Sequence, residues 1–330
     1  MTVIITGAAG FIGSHVARRC MEQGIRVVGV DQVNDYYDPA LKEARIALCE
    51  QAGGEFELHR FGIEEEGRLR ALMEEVRPGV VVHLAAQAGV RYSLLNPRAY
   101  VDSNLVGFVN VLEACRHVSV QHLLYASSSS VYGANKKIPF DVADQTDEPV
   151  SLYAATKKSN ELMAYAYSHL FNIPSTGLRF FTVYGPWGRP DMAYYSFAER
   201  ILQGLPIQVF NYGKMQRDFT YIDDIVGGIM KLLNRAPVRE GETPPHRVYN
   251  IGNNQPVSLM RFIEVLEQYL GKKAVIEMLP MQPGDVPATY ADISALEREI
   301  GYRPHTPIEI GLKHFVDWYV SYHRKEDAIC

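Results

Sequence analysis

The chain has 330 residues, 47% apolar and 22% charged, the proportions of an ordinary globular protein with length enough for two domains. Its formal charge of −5 with no basic stripe argues against a nucleic-acid partner, and no apolar run approaches the ~20 residues of a membrane span. Four scattered cysteines (Cys20, Cys49, Cys115, Cys330) form no Cys-x-x-Cys pair, and the chain enters a strand by Thr2 without a basic leader, so a soluble, metal-free protein of the reducing cytoplasm is expected.

Short β-branched or apolar runs mark strands at 2–6, 25–31, 56–61, 80–85, 122–127 and 177–183. Helical periodicity lies between them at 11–23, 40–51, 65–76, 97–117 and 151–171. Strands apolar almost throughout, alternating with helices, predict an α/β fold: a doubly wound parallel sheet covered on both faces. The acidic run at 64–67 reads as the solvated start of a helix. Beyond about residue 184, Pro and Gly punctuate shorter elements. The expected division is a Rossmann-type domain of 1–183 and 219–251, with a smaller mixed α/β domain of 184–215 and 253–330.

"GAAGFIG" places Gly7, Gly10 and Gly13 between the first strand and the first helix. Glycines there admit positive φ and let backbone N–H groups approach a pyrophosphate at the helix N-terminus. Asp31 follows at the end of the second strand, where a carboxylate binds ribose hydroxyls and repels a 2′-phosphate. The predicted cofactor is therefore NAD rather than NADP. The Gly-x-x-Gly-x-x-Gly spacing resembles the short-chain dehydrogenase/reductase superfamily, which implies a Tyr-x-x-x-Lys pair.

Three such pairs occur: Tyr132/Lys136, Tyr153/Lys157 and Tyr269/Lys273. The first crosses the turn sequence "GAN" and the last crosses Gly271, a helix end. Only "YAATK" lies within a helix, where positions i and i+4 share a face. Lys157 is expected to lower the Tyr153 phenol from its ordinary value near ~10, so that Tyr153 acts as a base toward a substrate hydroxyl. Parallel α/β sheets bind ligands at the carboxyl ends of their strands. "HLLYASSSS" brings its hydroxyls out at such an end, and the resemblance makes Ser128 the partner of Tyr153.

"GAAGFIGSH", "HLAAQAGVRYS", "YVDSNLVG", "SSSSVYG", "LYAATKKSNE", "LRFFTVYGP" and "RDFTYIDDI" together resemble the extended branch of that superfamily, whose members modify nucleotide-activated sugars. Dehydratases of the branch carry Asp-Glu before "VYG", and decarboxylases commonly a Glu; this chain has Ser129 and Ser130. "AQAGVRYSLLNPRAYVDSNLVGF" and "GLRFFTVYGPWGRPDMA" narrow the resemblance to the UDP-glucuronate 4-epimerases. It implies NAD-dependent oxidation at C4, rotation of a 4-keto sugar, and re-reduction from the other face. The alternatives are a UDP-glucuronate decarboxylase, a 4-epimerase of another UDP-sugar, or a non-catalytic NAD-binding protein, against which the intact Ser128–Tyr153–Lys157 set speaks.

The same resemblance assigns the remaining roles. The cofactor is expected on Gly7, Gly10, Phe11, Ile12, Gly13, Asp31, Asn34, Ile63, Leu84, Ala85, Ala86, Asn104, Tyr153, Lys157 and Phe180. The UDP-sugar is expected on Arg91, Ser128, Ser129, Ser130, Thr182, Arg189, Phe210, Arg217 and Gln282, with Thr182 and Arg189 reading the carboxylate. Two departures stand out: Gly62 replaces an acid that relatives set against adenine, and Gln282 replaces an arginine. The lost acid implies weakened adenine binding or a backbone substitute. The helices at 97–117 and 151–171 are apolar nearly all round, which predicts a homodimer through a four-helix bundle.

Overall fold

Val3, Ile4 and Ile5 have no exposed surface, because strand β1 (Thr2–Thr6) lies inside a parallel sheet covered on both faces. The computed structural model describes residues 1–282 and 285–327; Cys330 lies outside them. In chain order β1 leads into α1 (Phe11–Glu22), β2 (Arg26–Val30), α2 (Pro39–Gln51), β3 (Phe56–His59), α3 (Arg68–Val76) and β4 (Val80–His83). Next come α4 (Tyr92–Leu95), α5 (Pro97–Tyr100), α6 (Gly107–Val118), β5 (His122–Ser128), α7 (Leu152–Phe171) and β6 (Ser175–Phe180).

The remaining elements are β7 (Thr182–Tyr184), α8 (Ala193–Gln203), β8 (Pro206–Val209), β9 (Gln216–Tyr221), α9 (Ile222–Leu232) and β10 (His246–Ile251). They are followed by β11 (Pro256–Ser258), α10 (Leu259–Leu270), β12 (Val275–Met278), α11 (Ser294–Ile300) and α12 (Ile308–Asp327). Seven strands pair in parallel in the order β10-β6-β5-β4-β1-β2-β3. The order reverses between β1 and β4, and a crevice opens there at the carboxyl ends of the strands. This is the expected doubly wound Rossmann arrangement. Two small sheets, β11-β9-β7 and β12-β8, stand beside it, with Phe219 of β9 stacked on Phe262 of α10 at 4.3 Å. No helix among the described residues is long and apolar enough to cross a membrane.

Three sequence expectations change. The strand foreseen over 177–183 divides, because Phe181 pairs its N–H with Ile251 while Thr182–Tyr184 leave to pair with β9. The helix foreseen over 97–117 contains a π-turn at Val101–Val106 between α5 and α6. Widening the turn frees the Asn104 carbonyl, which accepts from Asn160 Nδ2 at 2.6 Å. The acidic run at 64–67 precedes α3 as a turn, and Glu64 is half-buried rather than solvated.

Candidate active site

At the head of the crevice, Gly7 has φ of +75°, and a Cβ there would lie 2.7 Å from the Ala85 nitrogen. A Cβ on Gly13 would lie 2.0 Å from the Gly7 carbonyl oxygen. Both positions therefore exclude any larger residue, and the chain turns tightly into the N-terminus of α1, which Gly10 caps. Asp31, just past β2, accepts the Ala9 N–H at 3.0 Å and the Val33 N–H at 2.8 Å, which fixes its carboxylate beside the turn. Asn34 accepts Lys42 Nζ at 2.6 Å, and both line the same wall.

One cavity of about 450 Å³ runs from this turn to the end of β5, a volume in the range of ligand sites. Of the expected cofactor residues, Gly7, Gly10, Phe11, Ile12, Gly13, Asp31, Asn34, Ile63, Leu84, Ala85, Ala86, Tyr153, Lys157 and Phe180 line it. Asn104 does not. It is buried, with its amide nitrogen donating to the Gln87 carbonyl and Thr156 Oγ1 and its oxygen accepting the Gln87 N–H. The π-turn thus makes Asn104 a clamp on the wall residue Gln87 rather than a wall residue itself. The glycines that admit no Cβ, the carboxylate at the second strand and the cavity's size fit an NAD molecule lying along it.

Ser128, Ser129 and Ser130 line the far part of the cavity with Tyr153, Lys157, Thr182 and Arg189. The Ser130 N–H and hydroxyl donate to Ser128 Oγ at 3.2 and 2.9 Å, and Ser128 also hydrogen-bonds Tyr153. Ser127 turns the other way, into the interior, where its hydroxyl donates at 2.7 Å to Glu161, which pairs with Arg179 at 2.8 Å. Tyr153 and Lys157 project from α7, whose N-terminus Ser151 caps through the Ala154 N–H.

The electrostatics differ from expectation. Burial raises the Tyr153 phenol above its ordinary value, opposed by the Ser128 hydrogen bond and the Arg189 charge; Lys157 is not among the causes. Lys157 instead donates to the Ala126 carbonyl at 3.0 Å, and burial lowers its ammonium to about 8. Tyr100 stands edge-on to the Tyr153 ring, with centroids 6.0 Å apart.

Arg189 grips Asp191 with two nitrogens, Nε at 3.0 Å from Oδ1 and Nη2 on Oδ2. Asp191 Oδ2 also accepts the Tyr36 hydroxyl at 3.2 Å. The expected carboxylate reader thus already holds a carboxylate of its own chain. Arg45, fully buried, donates to the Trp187 carbonyl from Nε at 3.0 Å and Nη2 at 2.7 Å, and to the Gly188 carbonyl at 2.9 Å. Its Nη1 reaches the Ala9 carbonyl in the glycine turn at 3.2 Å. No motif pointed to Arg45, because it acts on backbone carbonyls 36 to 143 positions away, and Asp191 lay in a quoted stretch without being given a role.

The other expected substrate residues gather around Asp285 on the cavity wall. Arg217 and Asp285 line the cavity, 4.0 Å apart. Arg91 lies 3.7 Å from the same carboxylate and stacks its guanidinium over Phe210, 4.9 Å from the ring centroid. Gln282 keeps its Oε1 buried without a hydrogen-bond partner among the described residues. Asp285 spaces the two arginines, a role that sequence reasoning missed.

The profile of the NAD dependent epimerase/dehydratase family matches residues 3–252. The chain is 53% identical to the protein CapI of Staphylococcus aureus, over 98% of this chain and 100% of that one. It is 49% identical to a probable UDP-glucuronate 4-epimerase of Rhizobium meliloti (strain 1021), over 98% of both chains. Its fold superposes with a TM-score of 0.87 on the UDP-glucuronic acid 4-epimerase of Bacillus cereus in complex with UDP-glucuronic acid and NAD. That structure is 34% identical, and the match covers 98% of this chain and 100% of that one.

Proposed function

We propose, from the premise that this chain belongs to the NAD dependent epimerase/dehydratase family, that it interconverts UDP-glucuronate and UDP-galacturonate by inverting C4. The observation that carries the reading is Arg189 opening with Thr182 onto the same cavity as Ser128, Tyr153 and Lys157. A guanidinium charge beside the reacting groups, its Nε and Nη2 steadied by Asp191, suits a sugar acid better than a neutral sugar. NAD held along the glycine turn would supply the acceptor, and then the donor, for the C4 hydride. Tyr153 takes the proton of the 4-hydroxyl and later gives it back, with Ser128 sharing that hydroxyl. Lys157, its ammonium on the Ala126 carbonyl and lining the same cavity, would hold the cofactor ribose and offset the charge that Tyr153 acquires.

The 4-keto sugar formed from glucuronate is a β-keto acid, which loses CO₂ when its C5–C6 bond aligns with the carbonyl π system. Arg189 and Thr182, with Ser129 and Ser130, hold the carboxylate out of that alignment. Arg91 and Arg217 take the diphosphate, Phe210 lies toward the uracil, and Gln282 stands where relatives place a phosphate-binding arginine. In this reading residues 1–183 and 219–251 carry the cofactor and 184–215 with 253–330 carry the UDP-sugar.

The reading includes a homodimer in the cytoplasm. Leu162, Tyr165 and Phe171 of α7 and Val109 of α6 are exposed apolar side chains, suited to a helix-to-helix interface with a second copy. Cys20, Cys49 and Cys115 are free thiols, in keeping with a reducing compartment.

The test is incubation with UDP-glucuronic acid, adding no NAD, while NMR follows the sugar anomeric signals. UDP-galacturonic acid at constant total uronate supports the reading. A UDP-pentose with CO₂ transfers it to a decarboxylase. In Arg189→Ala the pentose fraction is expected to rise, and an unchanged product ratio would remove the clamp from the mechanism.

A further inference from the structure

Past Asp31 the cavity wall is made by Phe61, Gly62, Ile63 and Glu64. The turn that presents them is tied on three sides. The Gly62 N–H donates to Glu65 Oε1 at 2.8 Å, the Glu65 N–H to the Gly62 carbonyl at 3.0 Å, and Asn110 Nδ2 to the Ile63 carbonyl at 2.9 Å. Within it the Glu64 carboxylate folds back over Gly62. A Cβ on Gly62 would lie 2.2 Å from Glu64 Oε1, 2.5 Å from Cδ and 2.6 Å from Oε2. The carboxylate therefore fills the volume that a side chain at position 62 would occupy, and the two arrangements exclude each other.

Glu65, next in sequence, pairs with Arg68 at 2.6 Å. Glu64 has no such partner among the described residues, and its Oε2 is buried with no hydrogen bond. An acceptor left in that state costs free energy that a donor would recover. The carboxylate torsion is soft, so a small rotation offers either oxygen to the cavity. The donor can be named from the order of groups along the cavity. Tyr153 and Lys157 mark the reacting end and Asp31 the far ribose, so the group beyond Asp31 is the base that this ribose carries. Adenine presents there an exocyclic amine with two N–H bonds.

The geometry points to Glu64 as the acceptor for the adenine 6-amino group of NAD, standing in for the acid that Gly62 lacks. This rests on the NAD-dependent reading of the same cavity. It replaces both expectations for Gly62, a weakened site or a backbone substitute: glycine at 62 is what allows a carboxylate from two residues away to reach the base.

The test compares NAD with nicotinamide hypoxanthine dinucleotide, whose 6-oxo group donates no hydrogen bond and turns lone pairs toward the carboxylate. Protein freed of nucleotide is titrated with each by calorimetry. Wild type is expected to prefer NAD by about 10–100-fold, the worth of one charge-assisted hydrogen bond. In Glu64→Ala the preference should fall close to one, and adding Gly62→Asp to that variant should restore it. Wild type binding both dinucleotides equally, or Glu64→Ala keeping the full preference, overturns the assignment while leaving the NAD reading intact. Failure of wild type to bind either one overturns both.

Discussion

Lys157 should be a residue that the fold would be more stable without. It has 2% exposure and, among the described residues, no carboxylate partner and one hydrogen bond, to the Ala126 carbonyl at 3.0 Å; burial brings its ammonium from 10.5 to about 8. A lysine whose folded value lies below its unfolded value opposes folding whenever it must be charged. The gap is worth about 3 kcal/mol, felt in full below about pH 8 and relieved as pH rises toward 10.5. Lys157→Met keeps the length and volume of the side chain, removes the charge and forfeits one hydrogen bond of about 1 kcal/mol. The net expectation is a gain of about 2 kcal/mol at pH 7, or about 3 °C in Tm for a chain of this size. The gain should shrink to near zero by about pH 9.5. Thermal melts of nucleotide-free wild type and variant across about pH 6.5–9.5 provide the assay, with epimerase activity lost in the variant. A variant less stable than wild type at every pH, or a difference that does not shrink with pH, would refute the argument.

Arg45→Met would strip hydrogen bonds from the buried carbonyls of Ala9, Trp187 and Gly188. With about 1–3 kcal/mol for each orphaned acceptor and incomplete additivity, we expect a loss of about 3–5 kcal/mol by chemical denaturation. Because Arg189 follows directly, KM for UDP-glucuronate should rise more than KM for UDP-glucose, and an equal rise would detach Arg45 from acid recognition. Glu161→Ala leaves the Arg179 guanidinium buried and uncompensated, at a cost of about 3–5 kcal/mol. Burial opposes the Glu161 charge, but Arg179 more than offsets it and holds the carboxyl below 4.5. That contribution is complete above 4.5 and disappears as pH falls through the lower folded value, so acid unfolding of wild type should be steeper than that of Glu161→Gln.

Much of the molecule is legible in the chain, for reasons that differ element by element. Strands β1, β2, β4 and β5 show because residues buried on both faces of a parallel sheet must be apolar in succession, as in "TVIIT" and "VVVH". Gly7 and Gly13 show because backbone approaches of 2.7 and 2.0 Å admit no other residue. The break after β6 does not show, since "GLRFFTV" is equally apolar whether one sheet or two takes it. The π-turn does not show either, because its purpose lies in contacts to Gln87 and Asn160, 17 and 56 positions away. Glu64 is hidden by its company: in "EEEG" three acids look alike, and only the empty Cβ position of Gly62 separates the first from the others.

The tyrosine–lysine pair is a spacing, and sequence displays spacings; the arginine proposed to read the acid is placed by a backbone conformation, and sequence conceals those. Arg189 stands two residues after Trp187, whose φ is +62°, a left-handed value rare for a bulky residue. Such a conformation persists only where its surroundings over-determine it. Here the Trp187 carbonyl takes two N–H bonds from Arg45, while its ring packs on Trp318 and Tyr322 at 5.1 and 5.3 Å. Asp191 and Tyr36 then fix the direction of the guanidinium. Arg45 and Tyr36 belong to the stretch that follows β2, on the cofactor side of the crevice. Transplanting Arg189 alone into a relative that handles neutral sugars should therefore not transplant acid recognition, because the arginine's position is made by residues some 140–150 places earlier in the chain.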